Sequence, residues 1–266
     1  MRLRDRTAGH AVITKLLSVQ RSAQPRSRLA RALGRSPLTN EARPWYLGAL
    51  GEVAVGRLLQ EMSPQWHVLH AVPVGKDDSD IDHVVLGPGG VFTINTKHHR
   101  GQSVWVAGRT FMVAGQKQPY VRNAEHEARR ASKMLTRAAG TAVPVTAVVA
   151  VVAPKSLTVK EKPSDVVVLT ATQLVRWLNK RPVAMTSMQT SRLLEVADQP
   201  ETWRDRPTEG VDAAALRAAF VGLDQEVRAA RAVRLAWATA VGGTGVTLSA
   251  TVGPELVEGL LQGLLG

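Results

Sequence analysis

Cysteine is absent from the 266 residues, which excludes disulfides, thiolate zinc sites and cysteine nucleophiles. That fits a reducing compartment. No secretory leader is expected either, because Lys15 and His10 break up the apolar stretch around Ala11–Val19. No internal repeat punctuates the chain. Acidic residues are in short supply, with 22 Asp and Glu against 34 Lys and Arg, leaving a net charge of +12. Such a balance favours polyanionic partners, nucleic acid first and an anionic membrane surface second; the plainer reading is a solvated basic surface. The shortage is greatest in residues 1–44, where ten Lys and Arg face only Asp5 and Glu41. This segment, rich in Arg, Ser and Pro, reads as a flexible basic arm with one short helix at Ala11–Val19.

Charge is missing altogether from Leu235 to Pro254. The run has about the 20 residues that a membrane span needs. Gly242, Gly243, Gly245 and Gly253, with several Thr and Ser, make it a poor one. Two readings stay open for residues 235–266: a tail associated with a membrane through 235–254, or a loosely packed tail.

Against these absences stands one dense stretch, residues 80–97. Two β-type runs, Ile81–Leu86 and Val91–Lys97, flank a Gly87-Pro88-Gly89-Gly90 turn. With a four-residue hairpin loop, Leu86 pairs with Val91, and counting back sets Asp82 opposite Asn95. Opposed residues share a face, so Asp82, Asn95 and Lys97 should converge at one edge of a small sheet. An Asp on one strand facing a carboxylate-x-Lys on the next resembles the way PD-(D/E)xK nucleases hold a divalent metal. Here the carboxylate position is Asn95, an amide that offers a carbonyl oxygen but no charge. The same spacing also fits a buried hairpin whose Asp and Lys form a local ion pair.

Around this hairpin the elements follow in order. Trp45–Met62 has helical spacing, with Leu47, Leu50, Ala54, Leu58 and Met62 on one side. Gly48, Gly51 and Gly56 weaken that helix by about 1 kcal/mol each relative to Ala, a cost that suggests close packing against another backbone. Trp66–Val74 alternates as a strand, and Gly75–Asp80 is an acidic loop. Val104–Val106 and Thr110–Val113 form a further hairpin. Asn123–Ala138 is a helix with a basic flank of Arg122, Arg129, Arg130 and Lys133; Glu125 and Glu127 sit near its start, where the helix dipole favours them. Val145–Ala153 is an almost unbroken β-branched run suited to a strand buried on both faces. Val166–Leu169 is another strand and leads into a capping box, Thr170 to Gln173, that opens a helix to about Lys180. Helices are also expected over Thr186–Val196 and Ala213–Arg234. The class is α/β, a mixed sheet flanked by helices.

Residues 45–182 resemble the nuclease-related domain, NERD, of the PD-(D/E)xK superfamily. The likeness rests on Gly51-Glu52, on Asp80-Ile81-Asp82-His83 running into Gly87–Phe92, and on Thr96-Lys97 followed by Gly101. It implies a restriction-endonuclease-like core, with a basic N-terminal arm (1–44), a helical extension (183–234) and the uncharged tail outside it. It further implies Mg²⁺-dependent action on nucleic acid; the preferred reading is DNA, with Mg²⁺ or Mn²⁺ as the ion. Glu52 would be the helix acid, Asp82 the main metal ligand with Asn95 and Thr96 beside it, and Lys97 the catalytic lysine. His98, His99, Arg100, Arg122, Arg129 and Arg130 would face the nucleic acid. Asn95 departs from the family's acidic position, so a DNA-binding module without catalysis is the alternative, and a membrane-associated adaptor a third.

Overall fold

The computed structural model describes residues 2–74, 80–204 and 212–251. Asp77 and Asp78 of the acidic loop lie outside these residues, as do 252–254 of the uncharged run. In chain order the helices are α1 (His10–Gln20), α2 (Arg28–Ala32), α3 (Ala42–Leu59), α4 (Tyr120–Ala139), α5 (Ala171–Asn179), α6 (Ser187–Ala197), α7 (Pro200–Trp203) and α8 (Ala213–Thr251). The strands are β1 (His67–Pro73), β2 (Asp80–Gly87), β3 (Gly90–His98), β4 (Ser103–Ala107), β5 (Thr110–Val113), β6 (Gln116–Gln118), β7 (Val145–Val152), β8 (Ser156–Glu161) and β9 (Val166–Thr170). The fold is mixed α/β.

Two compact units emerge, Met1–Val19 with Asn40–Ala218, and Gln20–Thr39 with Ala219–Gly266. In the first, a five-stranded sheet runs β1-β2-β3-β7-β9. β1, β2 and β3 are antiparallel neighbours, whereas β7 is parallel to both β3 and β9. The central hairpin keeps the expected register, Leu86 opposite Val91 and His83 opposite Ile94. Its loop is tighter than expected: Gly87 pairs with Gly90, leaving Pro88-Gly89 as the turn, with Gly90 at φ +113°. The Val/Ala run of β7 is buried because parallel strands flank it and helices cover both faces. On one face Ala131 and Leu135 of α4 join Val84, Leu86 and Val91. On the other, Val55 and Leu59 of α3 and Leu174 and Leu178 of α5 join Val85, Phe92, Ile94 and Val148. A second mixed sheet, β6-β5-β4-β8, was not foreseen, since β8 pairs in parallel with β4 across some fifty residues of chain.

Three expectations are corrected. Residues 1–19 are no flexible arm: Leu3, Ile13 and Leu16 are buried, and Leu3 joins the core. The Arg4 guanidinium donates to the buried Asp198 carboxylate at 2.6 Å, and the Arg6 guanidinium donates to Ala71 O. The most buried side of α3 is Tyr46, Ala49, Glu52, Val55 and Leu59; of the expected stripe, Ala54, Leu58 and Met62 pack partly buried against the core, whereas Leu47 is 38% exposed. The first unit also runs past residue 182, because Leu193, Ala197 and Trp203 belong to its core.

In the second unit α2 and α8 are tied by Arg26 to Glu226 at 2.7 Å and by Trp237 Nε1 donating to Ala32 O at 2.8 Å. Among the described residues no helix is long and apolar enough to cross a membrane.

Candidate acidic site where the central strands part

Asp82 sits where both of its strand ladders lapse. On one side the β1–β2 register passes from His70↔His83 to Val72↔Ile81 and leaves Ala71 and Asp82 unpaired. Ala71 takes φ +47°, a left-handed conformation that costs a non-glycine residue roughly 1 kcal/mol. On the other side the β2–β3 pairing ends at His83↔Ile94. Beyond it, the Thr96 backbone N–H donates to Asp82 Oδ2 at 2.6 Å. A side-chain carboxylate thus stands in for a ladder carbonyl and holds the two strand ends apart as a cleft.

Asn95, which the register sets across from Asp82, is 7% exposed. Its Nδ2 donates to both oxygens of Glu127, at 2.7 and 2.9 Å. Its Oδ1 is buried and has no partner. Glu127 comes from α4, on one flank of that helix's buried face. Glu52 comes from α3 and is also 7% exposed, with Oε2 buried and unpartnered. It arrives because α3 approaches β3 closely. A Cβ on Gly51 would lie 3.1 Å from His98 Cβ and 3.2 Å from Thr96 Cγ2, so only glycine keeps the helix this near without strain.

The electrostatics are those of crowded acids. Burial, then Asp82 and Asp80, raise Glu52 well above the ordinary carboxyl range. Burial and the neighbouring Asp82 and Glu127 push Asp80 up to about 7, against the pull of Arg6. Glu127 is likewise raised to about 7 by burial, although the Asn95 hydrogen bonds favour its charged form. Asp82 is raised by burial and restrained by Lys97 and the Thr96 N–H. Lys97, with Arg6 and Arg130, is among the cations that act on these acids, and its Nζ lies 5.1 Å from the Tyr120 ring centroid.

Among the described residues no three His, Cys, Asp or Glu side chains are gathered closely enough to hold a metal ion. The donor set nevertheless fits a divalent cation. Unpartnered buried oxygens on Asn95 and Glu52 lie in a neighbourhood of mutually repelling carboxyls, and a bound cation satisfies both conditions.

The expected nucleic-acid residues divide. His99 stacks on Tyr120 at 5.7 Å, and its Nδ1 meets Gln102 Oε1 at 3.1 Å. His98 ends β3, and Arg100 is exposed in the turn after it. Arg130 lies within electrostatic reach of Glu127. Arg129 is on the opposite flank of α4 and lines a separate cavity of about 890 Å³ with Arg109, Glu125 and Lys133. Arg122 is exposed and lies toward that same flank. The Thr96 N–H belongs to Asp82, so the observed part of Thr96 is to hold that carboxylate. Glu127 and Asp80 were missed as site residues. Asp80 had a signal, since it alternates onto the same face as Asp82. Glu127 had a weaker one, an acid three residues after Ala124 and four before Ala131 at the edge of an apolar stripe.

Residues 47–152, from α3 through β7, match the family model described as nuclease-related domain. An uncharacterized protein of Bacillus anthracis is 38% identical over 69 residues, which are 24% of this chain and 31% of that protein's length. The chain therefore spans under a third of that curated relative. No solved structure matches.

Proposed function

Residues 47–152 of this chain belong to the nuclease-related domain family, and from that premise we propose that the protein hydrolyses phosphodiester bonds in DNA with Mg²⁺ or Mn²⁺. The observation that carries the reading is the parting of the strands at Asp82: crowded buried carboxyls, an unpartnered Asn95 carbonyl and a lysine within electrostatic reach of the acids. The net charge of +12 supports a polyanionic substrate, and the lack of cysteine suits a cytoplasmic setting.

Asp82 and the Asn95 carbonyl would hold the cation, with the Thr96 N–H fixing the Asp82 carboxylate. When bound, the cation stabilises the charge that develops on the phosphate oxygens. Lys97 Nζ, kept in place over Tyr120, orients the attacking water. Burial and its acidic neighbours raise Glu52 and favour its neutral form until a cation arrives, when its unpartnered Oε2 becomes a further oxygen facing the ion. His98, His99 and Arg100, at the exit of β3, offer donors to the phosphodiester backbone next to the cleft.

The neutral Asn95 favours one competing reading, a nuclease fold that grips DNA without cutting it. A single experiment separates the two: supercoiled and linear DNA incubated with the purified protein in Mg²⁺, Mn²⁺ or EDTA, beside Lys97→Ala. Metal-dependent cleavage, lost in Lys97→Ala while binding in EDTA persists, is the expected result. DNA binding in EDTA without cleavage under either ion supports the binding module instead.

A further inference from the structure

The position next to Asp82 that carries no charge, Asn95, is not left without a carboxylate. Its side-chain amide donates to both oxygens of Glu127 at 2.7 and 2.9 Å, a bidentate contact across 32 residues of sequence. Asn95 is more than nine-tenths buried, and the oxygen on the other side of its amide has no partner. Glu127 is also within electrostatic reach of Asp82 and Lys97. A surface helix acid needs none of this arrangement. An acid steered into the cleft does, because an amide fixes a carboxylate without repelling it.

We propose that Glu127 supplies the second acidic residue of the cation site, carried on α4 rather than β3, with Asn95 as the residue that positions it. The inference rests on the metal-dependent reading above and assigns its ligand set: carboxylates from Asp82 and Glu127, and a carbonyl oxygen from Asn95. Charge is thereby restored to two carboxylates, which hard divalent cations favour. One consequence reverses the simplest engineering idea. Asn95→Asp alone does not repair the site, because it sets two carboxylates at hydrogen-bond distance with no donor between them. The exchange has to be made in both positions.

The test is titration of Mn²⁺ into the metal-free protein, followed by the loss of the free-ion electron paramagnetic resonance signal, with Mg²⁺ as competitor. Melting temperature in EDTA and in Mn²⁺ is measured in parallel, since a ligand bound only by the folded state raises it. Glu127→Gln should weaken Mn²⁺ binding by at least about 10- to 100-fold, the loss seen when a residue that only orients a ligand is removed, without lowering the melting temperature in EDTA. Asn95→Asp should melt lower in EDTA and bind Mn²⁺ no more tightly than the parent, because the two facing carboxyls retain a proton between them. The double exchange, Asn95→Asp with Glu127→Gln, should recover Mn²⁺ affinity to within about tenfold of the parent. It also keeps the test informative if either single variant folds poorly. Asp82→Asn is the control for the underlying reading. If Asp82→Asn loses Mn²⁺ while Glu127→Gln binds it as tightly as the parent, the role of Glu127 is overturned and the metal-dependent reading stands. If the parent takes up no Mn²⁺, both fall.

Discussion

His70 and His83 face each other across β1 and β2 with Nδ1 atoms 2.8 Å apart, so one ring must donate and the other accept. Protonating the second ring would break that bond inside the core. Burial accordingly lowers both, His70 to about 4 and His83 well below its ordinary value. The unfolded chain takes up these protons near pH 6.5 and the folded chain does not. Stability present above pH 6.5 is therefore lost as pH falls toward 4, by about 3 kcal/mol from His70 alone. Asp80 and Glu127 act with the opposite sign: their folded values are raised to about 7, so stability present at low pH is lost as pH rises toward 7. The double variant His70→Leu with His83→Leu isolates the histidines. Urea unfolding at pH 7 and pH 5 should show the parent losing more stability than the variant on acidification. Equal losses would show that the pair carries no such linkage. A second single-site test concerns Gly56, where a Cβ would fall 2.3 Å from Ala8 Cβ. Gly56→Ala should cost about 1–3 kcal/mol through overpacking, despite its better helix propensity, as read from the urea midpoint.

The N-terminal segment behaves as part of the first unit rather than as a separate basic element. Leu3 is fully buried, Leu3 N–H donates to Asp198 O, and both Arg4 groups, backbone and guanidinium, donate to the Asp198 carboxylate. Arg6 reaches Ala71, the residue beside Asp82 whose φ is positive. Deleting residues 1–9 should therefore lower stability by at least about 3 kcal/mol, counting one core leucine and the lost buried hydrogen bonds. Calorimetry should then show melting about 6–12 °C lower. An unchanged melting temperature would mean that the segment only rests on the surface.

For the chain as a whole, the net charge of +12 matters through its distribution. Several arginines of residues 1–35 are already committed within the protein: Arg4 to Asp198, Arg6 to Ala71 and Arg26 to Glu226. Arg100 and Arg130, near the cleft, have no such hydrogen bond among the described residues. On the DNA-binding reading, affinity measured in EDTA by fluorescence anisotropy should fall steeply with salt as condensed counterions are released. Arg100→Ala and Arg130→Ala should each reduce the slope of log affinity against log salt by about one. Arg228→Ala, which removes a charge paired with Asp224 on α8, should leave it unchanged. Identical slopes for all three variants would remove the cleft from the DNA-binding surface.

The chain's local patterns already specified the hairpin, its register and the strands around it. Period-two alternation and a glycine-proline turn act between neighbours, and a one-residue slip would have turned Val84 and Leu86 out of the core. The same holds for the Thr170 capping box, where the Thr170 N–H donates to Gln173 Oε1 at 3.0 Å, and for the buried run of β7. Asp82, Asn95 and Lys97 were legible together because one hairpin carries all three. Glu127, Arg6 and the parallel pairing of β8 with β4 were not legible. Their partners lie 32, 65 and some fifty residues away, where no periodicity links one position to the other. Those contacts exist only after helices close onto the sheet, because burial there leaves each polar group only the partners that the packed elements bring within reach. The choice of Glu127 as the acid beside Asn95 was made at that step, by the docking of α4 against β3.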